Sequence, residues 1–551
     1  MTDSESSADT ATRELRHAVQ RWLADDPDPE TRVELEALMD RLPDSAAELT
    51  DRFSGPLTFG TAGLRGPVRA GPNGMNRAVV RGAAAGLMAY LWDSGARGPL
   101  VIGYDARAGS AAFAQETAAV CTGAGREALL LPGLLPTPVL AFAVRKLGAA
   151  AGVMVTASHN PSADNGYKVY LADGAQLAPP ADEAIEAAIR AVPSLIDVPL
   201  GPPGRELGPE VLESYLDAVA GLVDPSSARE LSVAYTPMHG VGGATMVRAF
   251  ERAGFAAPSV VAEQADPDPR FPTVAFPNPE EPGATDLLLA LAENIHADLA
   301  IASDPDADRC AVAVPLPGGG WRPLTGDEVG ILLADHVMRR GATDTNHTPG
   351  TYATTIVSSS MLRALCERRG LPYAETLTGF KWIVRAAPNL AYGYEEALGY
   401  AVAPGLVRDK DGISAALLVA ELAASLRPRT LLDRLDELAA EVGVYLTGAV
   451  SIRVDDLAEI GELMAGLRAA LPEQLVGRPV ESAEDLWPDT DAVILRAGGL
   501  RVVARPSGTE PKLKLYLEVH AEVTTSVAEA RATATADLAS LEAEVRTAFG
   551  A

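Results

Sequence analysis

The sequence predicts a multidomain α/β protein, three successive α/β cycles followed by a smaller α+β segment. Three observations carry that reading. Short apolar runs bounded by turn formers alternate with stretches of helical period from residue 100 onward. The 551-residue length exceeds what one hydrophobic core supports, and 47% hydrophobic residues supply material for several. Each cycle runs for roughly 110–150 residues, the ordinary size of a domain.

Residues 1–10, rich in Ser, Thr and Asp, read as a frayed end, and Arg13 to Leu49 as helix broken at Asp26-Pro27-Asp28-Pro29. Leu57 to Gly66 is a glycine-punctuated loop presenting one cation, Arg65. Leu100–Tyr104 is a buried strand, Ser110 a cap for a helix over 111–123, and 128–131 a second strand. A helix over 138–147 and a strand over 150–156 complete a βαβαβ pattern, which implies parallel strands with right-handed crossovers. After a Pro/Gly-rich linker near 196–208, a second cycle places helices at 209–222, 243–253 and 284–293 and strands at 231–235, 258–262 and 298–302. The third places helices at 327–339 and 360–369 around a strand at 354–357. Alternating strands and an Ala-rich helix follow from about Gly448.

The charge balance narrows the function. With 46 basic and 74 acidic residues the net charge is −28, which disfavours nucleic acid or an anionic membrane as partner. An anionic substrate then needs a local basic patch. Cys121, Cys310 and Cys366 are widely spaced and read as buried thiols of a reducing compartment. No leader-like N-terminus or bilayer-length apolar run is visible, so a cytoplasmic protein is expected.

Four constellations carry chemistry. Thr156-Ala157-Ser158-His159-Asn160-Pro161, followed by Asp164-Asn165-Gly166-Tyr167-Lys168, leaves the carboxyl end of the strand 150–156, where ligands of open α/β sheets sit. Ser303-Asp304-Pro305-Asp306-Ala307-Asp308-Arg309 spaces three carboxylates at i, i+2 and i+4. On an extended segment these project to one side and suit a hard divalent cation such as Mg²⁺. An acidic surface hairpin is the competing reading. Arg505-Pro506-Ser507-Gly508-Thr509-Glu510-Pro511-Lys512-Leu513-Lys514 combines cations, hydroxyls and glycine-exposed amides, the inventory of a phosphate cradle, although in isolation a hairpin turn with solvated lysines is the safer reading. Glu395 and Glu396, bracketed by Gly393 and Gly399, form a carboxylate pair on a tight turn suited to vicinal hydroxyls, with exposed turn acids the default reading of such a pair in isolation. Arg408-Asp409-Lys410-Asp411 reads most simply as a solvated charge run, although an enclosed Lys410 would serve as an acid. His239 reads as a satisfied structural histidine. A serine at a strand end, a metal-ready loop, a sugar-ready turn and a phosphate-ready loop together suit phosphoryl transfer to and from a sugar.

These loops, in this order, resemble those of the α-D-phosphohexomutase superfamily (phosphoglucomutase, phosphomannomutase and relatives) over essentially the whole chain. The resemblance implies three similar α/β mixed-sheet domains and a smaller C-terminal α+β domain around a central cleft. Its expected boundaries are 1–205, 206–325, 326–447 and 448–551. It implies that Ser158 carries a phosphoryl group and that Mg²⁺ is bound by its phosphate with Asp304, Asp306 and Asp308. Arg65, His159 and Lys168 would line the transferring group, Arg309 would lie beside the metal loop, and Lys410 would stand as general acid. Lys381, Glu395 and Ala397 would recognise the sugar, with Arg505, Ser507, Gly508, Thr509 and Lys514 on the non-reacting phosphate. A sugar bisphosphate would be both intermediate and activator, the partner a small phosphosugar, and the protein a monomer or homodimer. Tyr394-Glu395-Glu396-Ala397 departs from the Gly-Glu-Glu-Ser of one phosphoglucomutase branch and lacks its hydroxyl. The motifs are most similar to the phosphoglucomutase/phosphopentomutase branch, with phosphomannomutase activity the alternative. A phosphatase lacks any use for a second phosphate cradle, and a silent sensor has no use for the nucleophile.

Overall fold

The structure, a computed structural model, describes residues 2–59, 63–343, 350–454, 457–507 and 512–549, apart from the side chains of 2–11, 342–343 and 457. It divides into two compact units, one of residues 1–322 with 405–417 and the other of 323–404 with 418–551. Among the described residues no helix is long and apolar enough to cross a membrane.

The first unit holds two mixed sheets. In the larger, Leu100–Tyr104 lies between Ala128–Leu130 and Ala151–Val155, and all three run parallel, as the alternating pattern predicts. The sheet is not purely parallel, because Asp164–Leu171 pairs antiparallel with Ala151–Val155 and Leu64–Pro67 with Asp164–Leu171. Lys168 and Arg65 therefore stand on strands, where the sequence suggested loops. Glycine accounts for the second pairing: at Gly63, with φ +93°, a Cβ would meet the Tyr167 carbonyl oxygen at 2.4 Å. Leu87, Ile102, Val153 and Tyr167 are wholly buried in the core of this layer. The helix Arg77–Asp93 packs on it and starts at Asn76, whose side chain accepts from Val79 N.

The second sheet sets Leu299–Ala302 parallel to Val233–Thr236 and antiparallel to Ala311–Pro315. At the N-terminus, helices Thr2–Asp25, Pro29–Asp40 and Ala46–Arg52 enclose Val19, Leu35, Leu38 and Leu49. Helix begins at Thr2, so the frayed end expected over 1–10 is not observed. Ser110 does not cap its helix: the N-cap is Gly109, and Ser110 Oγ donates to Asp105 Oδ1 at 2.7 Å.

The second unit contains a four-stranded mixed sheet and a five-stranded sheet of antiparallel pairs. In the latter, Lys512–Ala521 alternates strictly over its first half, with Leu513, Leu515 and Leu517 inward and Lys512, Lys514 and Tyr516 on the other face. The helix Val527–Phe549 covers the inner face through Ala534, Leu541 and Val545. The helix Leu431–Val442 opens with a reciprocal capping box between Thr430 and Asp433.

Candidate active site

Ser158 leaves the carboxyl end of Ala151–Val155 with φ +53°, a left-handed conformation uncommon outside glycine. Its side chain is buried, and Oγ donates to Asp304 Oδ2 at 2.6 Å while lying 3.2 Å from His159 Nδ1. Asp304 leaves the carboxyl end of a strand of the second sheet, Leu299–Ala302, so two domains' strand ends converge on one point.

The three aspartates converge by a route other than the one spacing suggested. Residues 303–309 form a turn, closed by Ala307 N donating to the Asp304 carbonyl at 2.9 Å and by Ala307 in the left-handed region. No extended segment aligns them. Nor is this a surface hairpin, since Asp304, Asp306 and Asp308 are wholly buried. Two glycines let neighbouring backbone close over the turn: a Cβ on Gly240 would lie 2.3 Å from Pro305 Cα, and one on Gly412 2.3 Å from the Arg309 carbonyl oxygen.

One ligand atom from each aspartate lies within 4.8 Å of the others, the arrangement a hard cation needs. Asp306 Oδ1 and Asp308 Oδ1 are buried without a hydrogen-bond partner, and such orphaned anionic oxygens are what a cation would satisfy. The residues present thus fit a divalent metal. Lys168 Nζ lies 2.6 Å from Asp306 Oδ2 and 2.9 Å from Asp308 Oδ2, and Lys410 Nζ 3.5 Å from Asp308 Oδ2. Thr137, first residue of the helix Thr137–Lys146, donates its hydroxyl to Asp306 Oδ2 at 2.6 Å.

The electrostatics follow from burial among unequal neighbours. Burial, joined by the charges of Asp306 and Asp308, pushes the Asp304 carboxyl well above the ordinary range. Burial acts on Asp306 and Asp308 too, but Lys168, joined by the Thr137 hydroxyl at Asp306 and by Lys410 and Arg309 at Asp308, outweighs it and both stay below their usual value. Lys168 loses to burial and gains more from the two aspartates, so it stays cationic. Burial, then Arg309 and Arg65, drive His159 well below its usual value, leaving a neutral imidazole. Arg65 Nη1 donates to Asn160 Oδ1 at 3.3 Å, and Arg309 Nε lies 4.0 Å from Asp304 Oδ2.

The run Arg408 to Asp411 is not solvated. Asp409, Lys410 and Asp411 are buried: Tyr170 and Gln176 each donate to Asp409 Oδ2 at 2.7 Å, and Tyr215 donates to Asp411 Oδ1 at 2.8 Å. These partners lie about two hundred residues away, beyond the reach of local pattern. His239 is a structural histidine, its Nε2 2.9 Å from Thr273 Oγ1.

In the second unit, Leu390–Glu395 and Gly399–Ala401 form a hairpin with Glu395 opposite Gly399, which places Glu396 and Ala397 in its loop. Ser358 Oγ donates to Glu396 Oε2 at 2.9 Å, and burial raises the Glu396 carboxyl. Lys381 lies in the short helix Phe380–Ile383. Arg505 and Lys514 are cross-strand partners, with Ser507 just beyond. Gly508 and Thr509 lie outside the described residues.

Local reading missed Asp105, Arg107 and Thr137, all buried beside the Ser158 loop or the aspartate turn. A signal for the first two was present, since Asp105-Ala106-Arg107 puts charges directly after a buried strand.

Comparison with known proteins gives consecutive matches to four phosphoglucomutase/phosphomannomutase descriptions. They are alpha/beta/alpha domain I over residues 56–195, domain II over 213–318, domain III over 325–442, and the C-terminal domain over 450–534. The chain belongs to the phosphoglucomutase/phosphomannomutase family. It is 45% identical over 456 residues, 81% of this chain and 93% of the relative, to a Haemophilus influenzae protein named probable phosphomannomutase. It is 34% identical over 563 residues, 92% of this chain and 90% of the relative, to the Mus musculus phosphopentomutase. A Thermus thermophilus crystal structure provisionally named phosphomannomutase matches with a TM-score of 0.71 at 26% identity, covering 90% of this chain and all of that one. Family membership makes the chain an isomerase of the sugar-phosphate mutase kind, an intramolecular phosphotransferase.

Proposed function

We propose that the protein interconverts a sugar 1-phosphate with the corresponding 6-phosphate or 5-phosphate, through a phosphoryl group carried on Ser158 Oγ. The preferred reading is phosphoglucomutase and/or phosphopentomutase activity, with phosphomannomutase the alternative. The single observation that carries it is Ser158 Oγ, buried and 2.6 Å from a carboxylate of a three-aspartate turn. A hydroxyl in that position is suited to bear a phosphoryl group whose charge is neutralised in place.

In this reading Asp304, Asp306 and Asp308 hold Mg²⁺, which when bound neutralises charge on the phosphoryl oxygens. Lys168 and Arg65 supply fixed positive charge beside the serine, Arg309 adds a third cation at the turn, and neutral His159 offers a hydrogen bond without adding charge. Lys410, enclosed by Asp308 and Asp409, gives a proton to the sugar oxygen as the phosphoryl group leaves it and takes one back as the group arrives. Phosphate passes from Ser158 to the sugar, giving a bisphosphate. The opposite phosphate of that intermediate then returns to the serine. In the second unit the hairpin bearing Glu395 and Ala397, with Lys381, suits sugar hydroxyls. Arg505, Ser507 and Lys514, with Gly508 and Thr509, suit a phosphate. The four matched stretches support a division at 1–205, 206–325, 326–447 and 448–551.

The test is a rate comparison on α-glucose 1-phosphate, α-mannose 1-phosphate and α-ribose 1-phosphate, with Mg²⁺, a trace of the matching bisphosphate, and free phosphate monitored. Isomerisation without phosphate release is expected, fastest with glucose or ribose. Release of phosphate alone, or no turnover of any of the three, would overturn the proposal.

A further inference from the structure

Arg107 stands outside every motif considered so far, yet its guanidinium binds the backbone of the Ser158 loop at four points. Nη2 donates to the carbonyls of Ser158 and Asn160, each at 2.6 Å, and Nη1 to those of Pro161 and Asp164 at 2.7 and 3.0 Å. Each Nη carries two N–H groups, so the four carbonyls use all four. The side chain is 1% exposed, its Nε lies 3.4 Å from Asp105 Oδ2, and its guanidinium carbon lies 4.9 Å from the centroid of the Phe271 ring.

Asp105 reaches the same loop from the other side. It accepts the Thr156 hydroxyl at 2.6 Å, and Thr156 Oγ1 in turn accepts the Ser158 N–H at 2.9 Å. The peptide groups on both sides of Ser158 Cα are therefore fixed by one Asp–Arg pair. That double hold accounts for a non-glycine residue at φ +53° with its Oγ aimed at Asp304.

We infer that Arg107 is a positioning residue for phosphoryl transfer at Ser158. Its planar fork fixes the backbone of residues 158–164 so that the phosphoryl-bearing oxygen stays aligned with the aspartate turn. The inference rests on the reading of Ser158 as phosphoryl carrier. A lysine at 107 keeps the charge but cannot present two parallel pairs of donors, so Arg107→Lys separates geometry from charge.

The experiment compares full-length wild type and Arg107→Lys on the sugar phosphate that wild type turns over fastest. It measures kcat and KM, the thermal midpoint, and the single-turnover rate at which a sugar bisphosphate phosphorylates Ser158, followed by mass spectrometry. The expected result is a loss of about 10²-fold in kcat and in Ser158 phosphorylation, with KM within about threefold of wild type. A loss of tenfold or more in kcat at that KM supports the inference, and a smaller loss, or one confined to KM, overturns it. A merely structural staple would lower the thermal midpoint and leave kcat of the folded protein unchanged. If Arg107→Lys does not fold, Phe271→Leu decides. It leaves every charge in place and removes the ring beside the guanidinium, and a kcat reduced threefold or more at unchanged KM is expected. Wild-type kcat in that variant overturns the inference. An active wild type beside an unaffected variant removes only the role of Arg107. A wild type that neither isomerises sugar phosphates nor takes phosphate on Ser158 removes the phosphoserine reading and this inference with it.

Discussion

Arg505 and Lys514 face each other directly across two antiparallel strands, a pair of like charges where an opposite pair would be favourable. Alternation along Lys512–Ala521 puts both on the face opposite the packed leucines. Juxtaposed cations on a rigid sheet are well placed to take a dianion, whose binding turns their mutual repulsion into attraction. Replacing Lys514 by Met should raise KM for the sugar phosphate about tenfold while leaving stability within about 0.5 kcal/mol of wild type. Steady-state kinetics with a urea titration checks both. An unchanged KM would remove Lys514 from substrate recognition.

The aspartate turn makes a prediction about metal. Only the native state gathers Asp304, Asp306 and Asp308, so Mg²⁺ should stabilise the fold by mass action, about 2.7 kcal/mol at a hundredfold excess over its dissociation constant. Wild type stripped with EDTA should melt earlier than wild type in excess MgCl₂. Asp306→Asn should lose most of that difference, since it removes a charge from the ligand set. Equal magnesium-dependent shifts in the two proteins would place the cation elsewhere.

How much of this was legible in the sequence depends on the range of the interactions involved. Asp304, Asp306 and Asp308 were legible as a candidate cation cluster from residue type and spacing, but the route by which they converge was not. It arises from a turn with Ala307 in the left-handed region and from the close approach of Gly240 and Gly412, neither of which alternation encodes. The strands of the first sheet were legible because buried strands read as short apolar runs. Asp164–Leu171 was obscured by the polar residues that open it. Asp409 and Asp411 looked solvated because Tyr170, Gln176 and Tyr215 lie in other domains of the chain. The charge of Arg107 after a buried strand was a signal, but its role was illegible for a related reason, since its partners are carbonyl groups, which every residue has.

Asp327 carries a pH dependence of stability. Burial raises its carboxyl to about 6, although Ser359 N and Tyr394 OH donate to Oδ1 at 2.7 and 3.0 Å. A carboxyl whose pKa is higher folded than unfolded stabilises the protein fully below the unfolded value near 4, and that stability is lost as pH rises through about 6. Asp327→Asn keeps an acceptor for both donors and removes the ionisation. The variant should therefore gain stability over wild type as pH rises from 4 to 6, on the order of 3 kcal/mol at pH 7. Denaturant titrations at pH 4, 5, 6 and 7 test this, and a difference that does not change with pH would refute it.

Ala397 sits in the hairpin loop between Glu395 and Gly399, beside Glu396, whose carboxylate is already held by Ser358. An alanine there contributes no side-chain hydrogen bond, so under the proposed function the loop should discriminate weakly among sugars that differ in hydroxyl number. Restoring a hydroxyl with Ala397→Ser adds a polar group that goes unpaired with a smaller sugar and paired with a hexose. Sites that bond a substrate hydroxyl reject the analogue lacking it far more strongly than apolar sites do. The ratio of kcat/KM for glucose 1-phosphate over ribose 1-phosphate should rise about tenfold in Ala397→Ser, at nearly unchanged thermal stability. Parallel assays of the two substrates on wild type and variant measure that ratio directly. A ratio that stays constant would mean that the choice between hexose and pentose is made by residues other than this loop.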